Sequence, residues 1–86
     1  KKLMDKKLIE TKISNLMQKK SNIKIKNIGK KDDLYKKEII DSFDMLNIIS
    51  QIEKDFEIEI KLEKVKTFKF SISYLTNIVN KQLKTR

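Results

Sequence analysis

Apolar positions along the 86-residue chain fall into three stretches with helical spacing and two stretches with mixed signals. Between residues 3 and 19, Leu8 or Ile9, Ile13, Leu16 and Met17 recur at intervals of three and four, with lysines on the opposite side. That spacing predicts a first amphipathic helix. The clearest element spans residues 41–56, where Leu46, Ile49, Ile52 and Phe56 follow a helical stripe. Asp41 suits its N-cap, and Asp44 falls in the first turn, where a negative charge complements the helix dipole. From Ile72 onward, Leu75, Ile78, Val79 and Leu83 define a last helix, which Ser71 is placed to cap.

The intervening stretches are less regular. Residues 20–40 are polar, with turn-type residues at Ser21, Asn22, Asn27, Gly29, Asp32 and Asp33. Ile23, Ile25 and Ile28 alternate only weakly with polar residues. So long a loop needs its own apolar anchors, and Leu34, Tyr35, Ile39 and Ile40 are the candidates. Further on, Ile58, Ile60 and Leu62 alternate with charges, as do Phe68, Phe70, Ile72 and Tyr74 with polar residues. Period alone would read a hairpin turning near Glu63–Thr67, but no hairpin turn pair is present there. The expectation for 57–70 is a turn plus at most one short helix. Phe56, Ile49, Ile52, Phe70, Leu75, Ile78 and Val79 are assigned to the core. Leu46 is expected to join them by helical phase, and Met45 is balanced between core and surface.

Composition narrows the chemistry. Cysteine and histidine are both absent. This removes disulfides, thiol nucleophiles, Cys/His zinc sites and serine–histidine triads. No apolar run approaches the roughly 20 residues of a membrane span, and the lysine-rich opening residues do not form a signal peptide's apolar region. A cytoplasmic, monomeric single domain over residues 1–86 is the expectation.

The net charge of +9 invites a basic helical nucleic-acid-binding reading. Lysine outnumbers arginine 20 to 1, however, and arginine is the usual reader of bases and phosphates. Lys, Ile and Asn fill 40 of 86 positions without a single alanine, as A/T-rich codon usage would produce. The lysine pairs at 19–20, 30–31 and 36–37 are accordingly read as a solvated face. The distribution is more telling than the total. Residues 1–40 carry +8 and residues 61–86 carry +6, whereas residues 41–60 carry −5. An acidic block in a lysine-rich chain points to a basic partner at that segment. Glu53, Asp55, Glu57 and Glu59 lack the spacing and glycine of a calcium loop and are read as a solvated acidic edge, with no metal site.

Ser42 sits in the first turn of the second predicted helix, where unpaired N–H groups and the dipole favour an anion. Without histidine, and with Met45 three residues on where a Ser-x-x-Lys box needs lysine, it reads as the substrate of another enzyme rather than as a catalyst. No catalytic residue is assigned.

The stretch Asp32–Met45, containing Glu38-Ile39-Ile40-Asp41-Ser42-Phe43-Asp44, and its continuation Ile52-Glu53-Lys54-Asp55-Phe56-Glu57-Ile58-Glu59-Ile60 resemble the acyl carrier protein family. The family pattern is an Asp-Ser-apolar triplet opening the second helix, which then ends in acids, Phe, an acid and Ile. The resemblance implies an all-α fold, a small four-helix bundle with a long first loop and a short third helix. It implies a 4′-phosphopantetheine arm on Ser42, installed from coenzyme A by a phosphopantetheinyl transferase, with Asp41 beside it. Asp44 and Glu53 match acidic partner contacts. Phe43, Met45 and Ile60 match apolar positions around the arm or interface, with Phe43 half exposed or serving as a local anchor. Other implied partners are an acyl- or aminoacyl-loading ligase and a downstream transferase or synthase.

The chain departs from the family pattern in its basic net charge, in Asn47, Lys54 and Lys61, and in the segment from Leu62 to Phe70. Two aliphatic residues before Asp-Ser-Phe resemble specialised D-alanyl, aminoacyl or secondary-metabolite carriers, whereas fatty-acid carriers typically show Gly-Ala there. The fatty-acid-synthesis carrier is the alternative.

Overall fold

The computed structural model describes residues 5–21, 29–61 and 69–85, which hold three α-helices and no strand. These are α1 (Lys6–Ser21), α2 (Ser42–Phe56) and α3 (Ile72–Lys84). The all-helical expectation is met in these segments. Of the 57–70 stretch expected to hold a turn and at most one short helix, residues 57–61 and 69–70 hold no helix; residues 62–68, and with them the rival turn near Glu63–Thr67, lie outside the described residues. So do Ile23, Ile25 and Ile28, and the first two positions of the first predicted helix.

α1 opens with the Asp5 carbonyl accepting from the Ile9 amide at 3.1 Å and runs two residues past its predicted end. Ile9, Ile13 and Met17, four residues apart, are completely buried, while Leu8 is exposed. Of the pair Leu8 and Ile9, Ile9 therefore faces the core. α1 packs against both α2 and α3.

On α2 the buried face is Ile48, Ile49, Ile52 and Phe56, with Met45 partly buried against it. Leu46 does not join the core; half of it is exposed. At about 100° per residue, the buried residues centre near Met45, Ile49, Ile52 and Phe56, and Leu46 lies about a quarter-turn off that line. On α3, Ile72, Leu75, Thr76 and Val79 are buried, and Ile78 and Leu83 pack partly against them. Buried Thr76 is satisfied by donating to the Ile72 carbonyl at 2.7 Å. Each fully buried aliphatic side chain contributes about 1.5–3 kcal/mol.

The described part of the first loop, residues 29–40, is tied down twice to the start of α3. Leu34 N–H donates to the Phe70 carbonyl at 3.0 Å, and Ser73 N–H donates to the Lys30 carbonyl at 2.8 Å. Leu34 and Ile40 are buried and anchor the loop as expected, but Tyr35 and Ile39 are 45% and 42% exposed and do not. The reason is a turn. The Leu34 carbonyl accepts from both the Ile39 and Ile40 amides, with Glu38 in the left-handed region at φ 58°. This closure points Leu34 and Ile40 inward and leaves the residues between them outside. No helix among the described residues is long and apolar enough to cross a membrane.

Candidate functional site

The start of α2 is built by Asp41. Its backbone is extended (φ −92°, ψ 177°), and its carboxylate Oδ1 accepts from the Asp44 amide at 2.8 Å. Its carbonyl accepts from the Met45 amide at 3.0 Å. Because Asp41 does the capping, the next residue, Ser42, is left with a solvent-exposed side chain and no capping duty. The amides of Ser42 and Phe43 precede the first intrahelical bond and lack a partner within the helix. This local geometry favours an anion at Ser42.

Around Ser42 the surface is apolar and charged by turns. Phe43 is 71% exposed, more than the half exposure expected, and is no local anchor. It lies almost opposite the buried face, about 160° from its centre. Leu46 is exposed on the same side of α2. Asp44 and Met45 are half-buried. On the loop side an open groove of about 650 Å³ is lined by Tyr35, Lys36, Glu38, Ile39, Ile40, Asp41 and Ser42. Sequence reasoning treated Tyr35 and Ile39 as anchors and Lys36 as part of a solvated face. Nothing in the pattern marks them as neighbours of Ser42, because the turn over 34–40 brings them there.

Two other expected site residues lie elsewhere. Glu53 and Ile60 meet at the far end of α2, about 16 Å along the helix from Ser42. The Glu53 carboxylate accepts from the Ile60 amide at 2.7 Å, and its carbonyl accepts from Ile58 at 3.1 Å. Glu57 takes the left-handed conformation (φ 55°) that ends the helix and returns its N–H to the same carbonyl. Glu53 therefore fastens the turn after α2, a role with no sequence signal, since the contact spans seven residues across a helix end. Ile60 is 92% buried and belongs to the core cluster. The rest of the acidic run is exposed at Asp55, Glu57 and Glu59, with Asp55 accepting from Gln51 at 2.8 Å. Among the described residues, no three acidic side chains converge as a metal site would require.

A second constellation organises the loop. Asp32 accepts from the Gly29 amide at 2.8 Å and pairs with Lys37 at 3.1 Å. These contacts, the Gly29 bond first, hold its carboxyl below the usual aspartate range. A Cβ at Gly29 would lie 2.9 Å from the Asp32 carboxylate, so glycine permits the close approach. Asp33 Oδ1 accepts from the amides of Tyr35 and Lys36 at 3.1 and 3.0 Å, starting the turn that leads to the groove.

The arrangement offers an exposed hydroxyl at a helix start, flanked by carboxylates and apolar side chains. The chain has no histidine to activate that hydroxyl.

No family model and no solved structure matches the chain. It is 35% identical over 72 residues to the acyl carrier protein of Buchnera aphidicola subsp. Schizaphis graminum (strain Sg), an alignment covering 80% of this chain and 91% of that protein.

Proposed function

The chain belongs to the acyl carrier protein family, and from that premise we propose that it is a non-catalytic carrier bearing 4′-phosphopantetheine on Ser42. The observation that carries this reading is the exposed Ser42 hydroxyl, freed from capping by Asp41 at the first residue of α2. The residues fit the group. The hydroxyl supplies the ester oxygen, the unpaired first-turn amides favour a phosphate, and the adjoining groove has the volume of an ordinary ligand site.

A phosphopantetheinyl transferase would transfer the phosphopantetheinyl group from coenzyme A to the Ser42 oxygen, releasing adenosine 3′,5′-bisphosphate. The arm, once attached, supplies the thiol that this cysteine-free chain lacks and holds an acyl or aminoacyl group as a thioester. Asp41 holds the helix start in shape. Asp44 steers basic partner surfaces, with Phe43, Met45 and Leu46 as the apolar part of the contact. Complementary charge there acts chiefly on docking rate and orientation. Glu53 and Ile60 contribute by fixing the turn beyond α2.

The cargo assignment is a specialised one, an aminoacyl or secondary-metabolite unit loaded by a ligase and taken up by a downstream transferase or synthase. It rests on Ile39 and Ile40 preceding Asp41-Ser42-Phe43. Exposed Ile39 places an aliphatic side chain in the groove beside the attachment point.

Intact-mass measurement after incubation with coenzyme A, Mg²⁺ and a broad-specificity transferase tests the assignment. One phosphopantetheine should add to the wild type and none to Ser42→Ala. A Ser42→Ala protein that still gains the mass would overturn it.

A further inference from the structure

We infer that the groove between the 35–40 turn and the start of α2 is a resting bed for the arm on Ser42, with Lys36 as the counter-charge for its phosphodiester. The inference rests on the assignment of the arm to Ser42 and adds where the arm lies and which residue positions it.

Three observations carry it. Ser42 itself lines the groove, so an arm leaving its oxygen starts inside it. The groove also has a mixed lining. Its described residues include carboxylates at Asp41 and Glu38 and one cation, at Lys36. A phosphodiester would add another negative charge, and among the described lining residues Lys36 is the one able to offset it. The neighbouring Lys37 is already paired with Asp32 at 3.1 Å, so the two adjacent lysines divide between holding the loop and facing the groove. Finally, Tyr35 and Ile39 are apolar side chains left 45% and 42% exposed by a turn that buries Leu34 and Ile40. An extended pantetheine chain, with its geminal dimethyl group close to the phosphate, would cover them. The Tyr35 and Lys36 amides are held by Asp33, so this wall is preorganised by the loop's own hydrogen bonds.

The test uses isotopically labelled full-length protein converted to the arm-bearing form, with the mass gain verified before any spectrum is recorded. The expected result is nuclear Overhauser contacts from the arm's geminal methyls to the Tyr35 ring and Ile39 methyls. Amide shift changes between the bare and modified protein should concentrate in residues 35–41. In Lys36→Gln those contacts should weaken severalfold, and Lys36→Arg should retain them. High salt should weaken them in the wild type, because exposed pairs are screened. A verified arm that contacts neither Tyr35 nor Ile39 overturns the bed, and leaves the Ser42 assignment standing. Contacts that survive unchanged in Lys36→Gln overturn the counter-charge. A protein that gains no mass overturns both the assignment and the bed. Circular dichroism of the variants separates a lost contact from a lost fold, and Lys36 is exposed, so its replacement should leave the helices intact.

Discussion

The starts of α2 and α3 are built by the same local device and set in opposite surroundings. Each has an extended cap residue whose side-chain oxygen accepts an amide three residues on, from Asp44 to Asp41 at 2.8 Å and from Tyr74 to Ser71 at 3.1 Å. At α3 the surroundings close over the cap. Phe70, Ser71 and Ile72 are all at most 2% exposed, and the loop donates to and accepts from the chain on both sides of it. At α2 the cap, the following serine and Phe43 all stand in solvent. The serine that caps is consumed by structure, and the serine that follows a capping aspartate keeps an exposed hydroxyl with no capping bond. A helix start is thus a neutral element, and what it does is decided by what packs around it and by which residue spends its oxygen on the backbone.

The sharpest way to break this contrast is to exchange chemistry for structure at each serine. Ser42→Ala should abolish phosphopantetheine attachment completely, by intact mass, while leaving the unfolding free energy within about 0.5 kcal/mol of wild type, as at other exposed surface sites. Ser71→Ala should do the reverse: full attachment, with lower stability.

The next contrast lies in the neighbouring aromatics. Phe70→Ala empties a buried site and should cost about 3–5 kcal/mol in denaturant unfolding. Phe43→Ala, at 71% exposure, should cost almost nothing there yet slow productive encounter with partner enzymes. A large stability loss from Phe43→Ala would show that the two starts are less different than their exposures state. The caps themselves come next. Ser71→Ala and Asp41→Ala should each cost about 0.5–2 kcal/mol, with Ser71→Ala at the upper end because Ser71 is buried and Asp41 is exposed.

A smaller effect, of opposite sign, is expected at Glu38, held at φ 58° beside the α2 groove. Left-handed backbone is costly for a side chain and free for glycine. Glu38→Gly should therefore raise stability by about 1 kcal/mol, or roughly 4–8 °C in a chain of this size. It should also reveal whether the turn over 34–40 is held by its hydrogen bonds alone.

The sequence was legible where a local rule had no competitor. Asp41 and Ser71 could be named as caps because capping is a contact over three residues. Ser42 could be singled out because its position after the cap is also local. Leu46 differs from expectation because a three-residue spacing from Ile49 fits the stripe as well as the four-residue spacing from Met45, and only packing against the core decides between them. Tyr35 and Ile39 were misplaced for a related reason. Four apolar residues in one loop are equivalent in sequence, and the left-handed Glu38 that separates them into a buried pair and an exposed pair has no marker such as glycine. Glu53 was read as surface charge because its partner, the Ile60 amide, lies across a helix end that sequence alone does not bend. The part of the site that was invisible is the part made by a turn.

That turn also links the two helix starts, and acid offers the mildest way to separate them. Residues 29–33 hold α3 through the Lys30 carbonyl, and residues 35–40 wall the groove beside Ser42; Asp32 lies in the hinge of this loop. Its carboxyl is held below the ordinary aspartate range, first by the Gly29 amide and then by Lys37. A lowered folded pKa means that the unfolded state binds the proton more readily. The resulting stabilisation is present above the ordinary aspartate value and disappears as pH falls through the lowered one. Because the group is exposed, the effect on overall stability should be slight, and it should be local. As the Asp32 carboxyl carbon titrates by nuclear magnetic resonance, the Gly29 and Ser73 amides should move with it, since one donates to Asp32 and the other to the Lys30 carbonyl. Lys37→Gln should raise the midpoint, but only part of the way, because the Gly29 bond remains. The Ser42 amide is the deciding probe. If it stays still while Ser73 moves, acid loosens the structural start and leaves the chemical one alone. If both move with the same midpoint, the loop is one rigid piece, and the two helix starts are mechanically coupled despite their different surroundings.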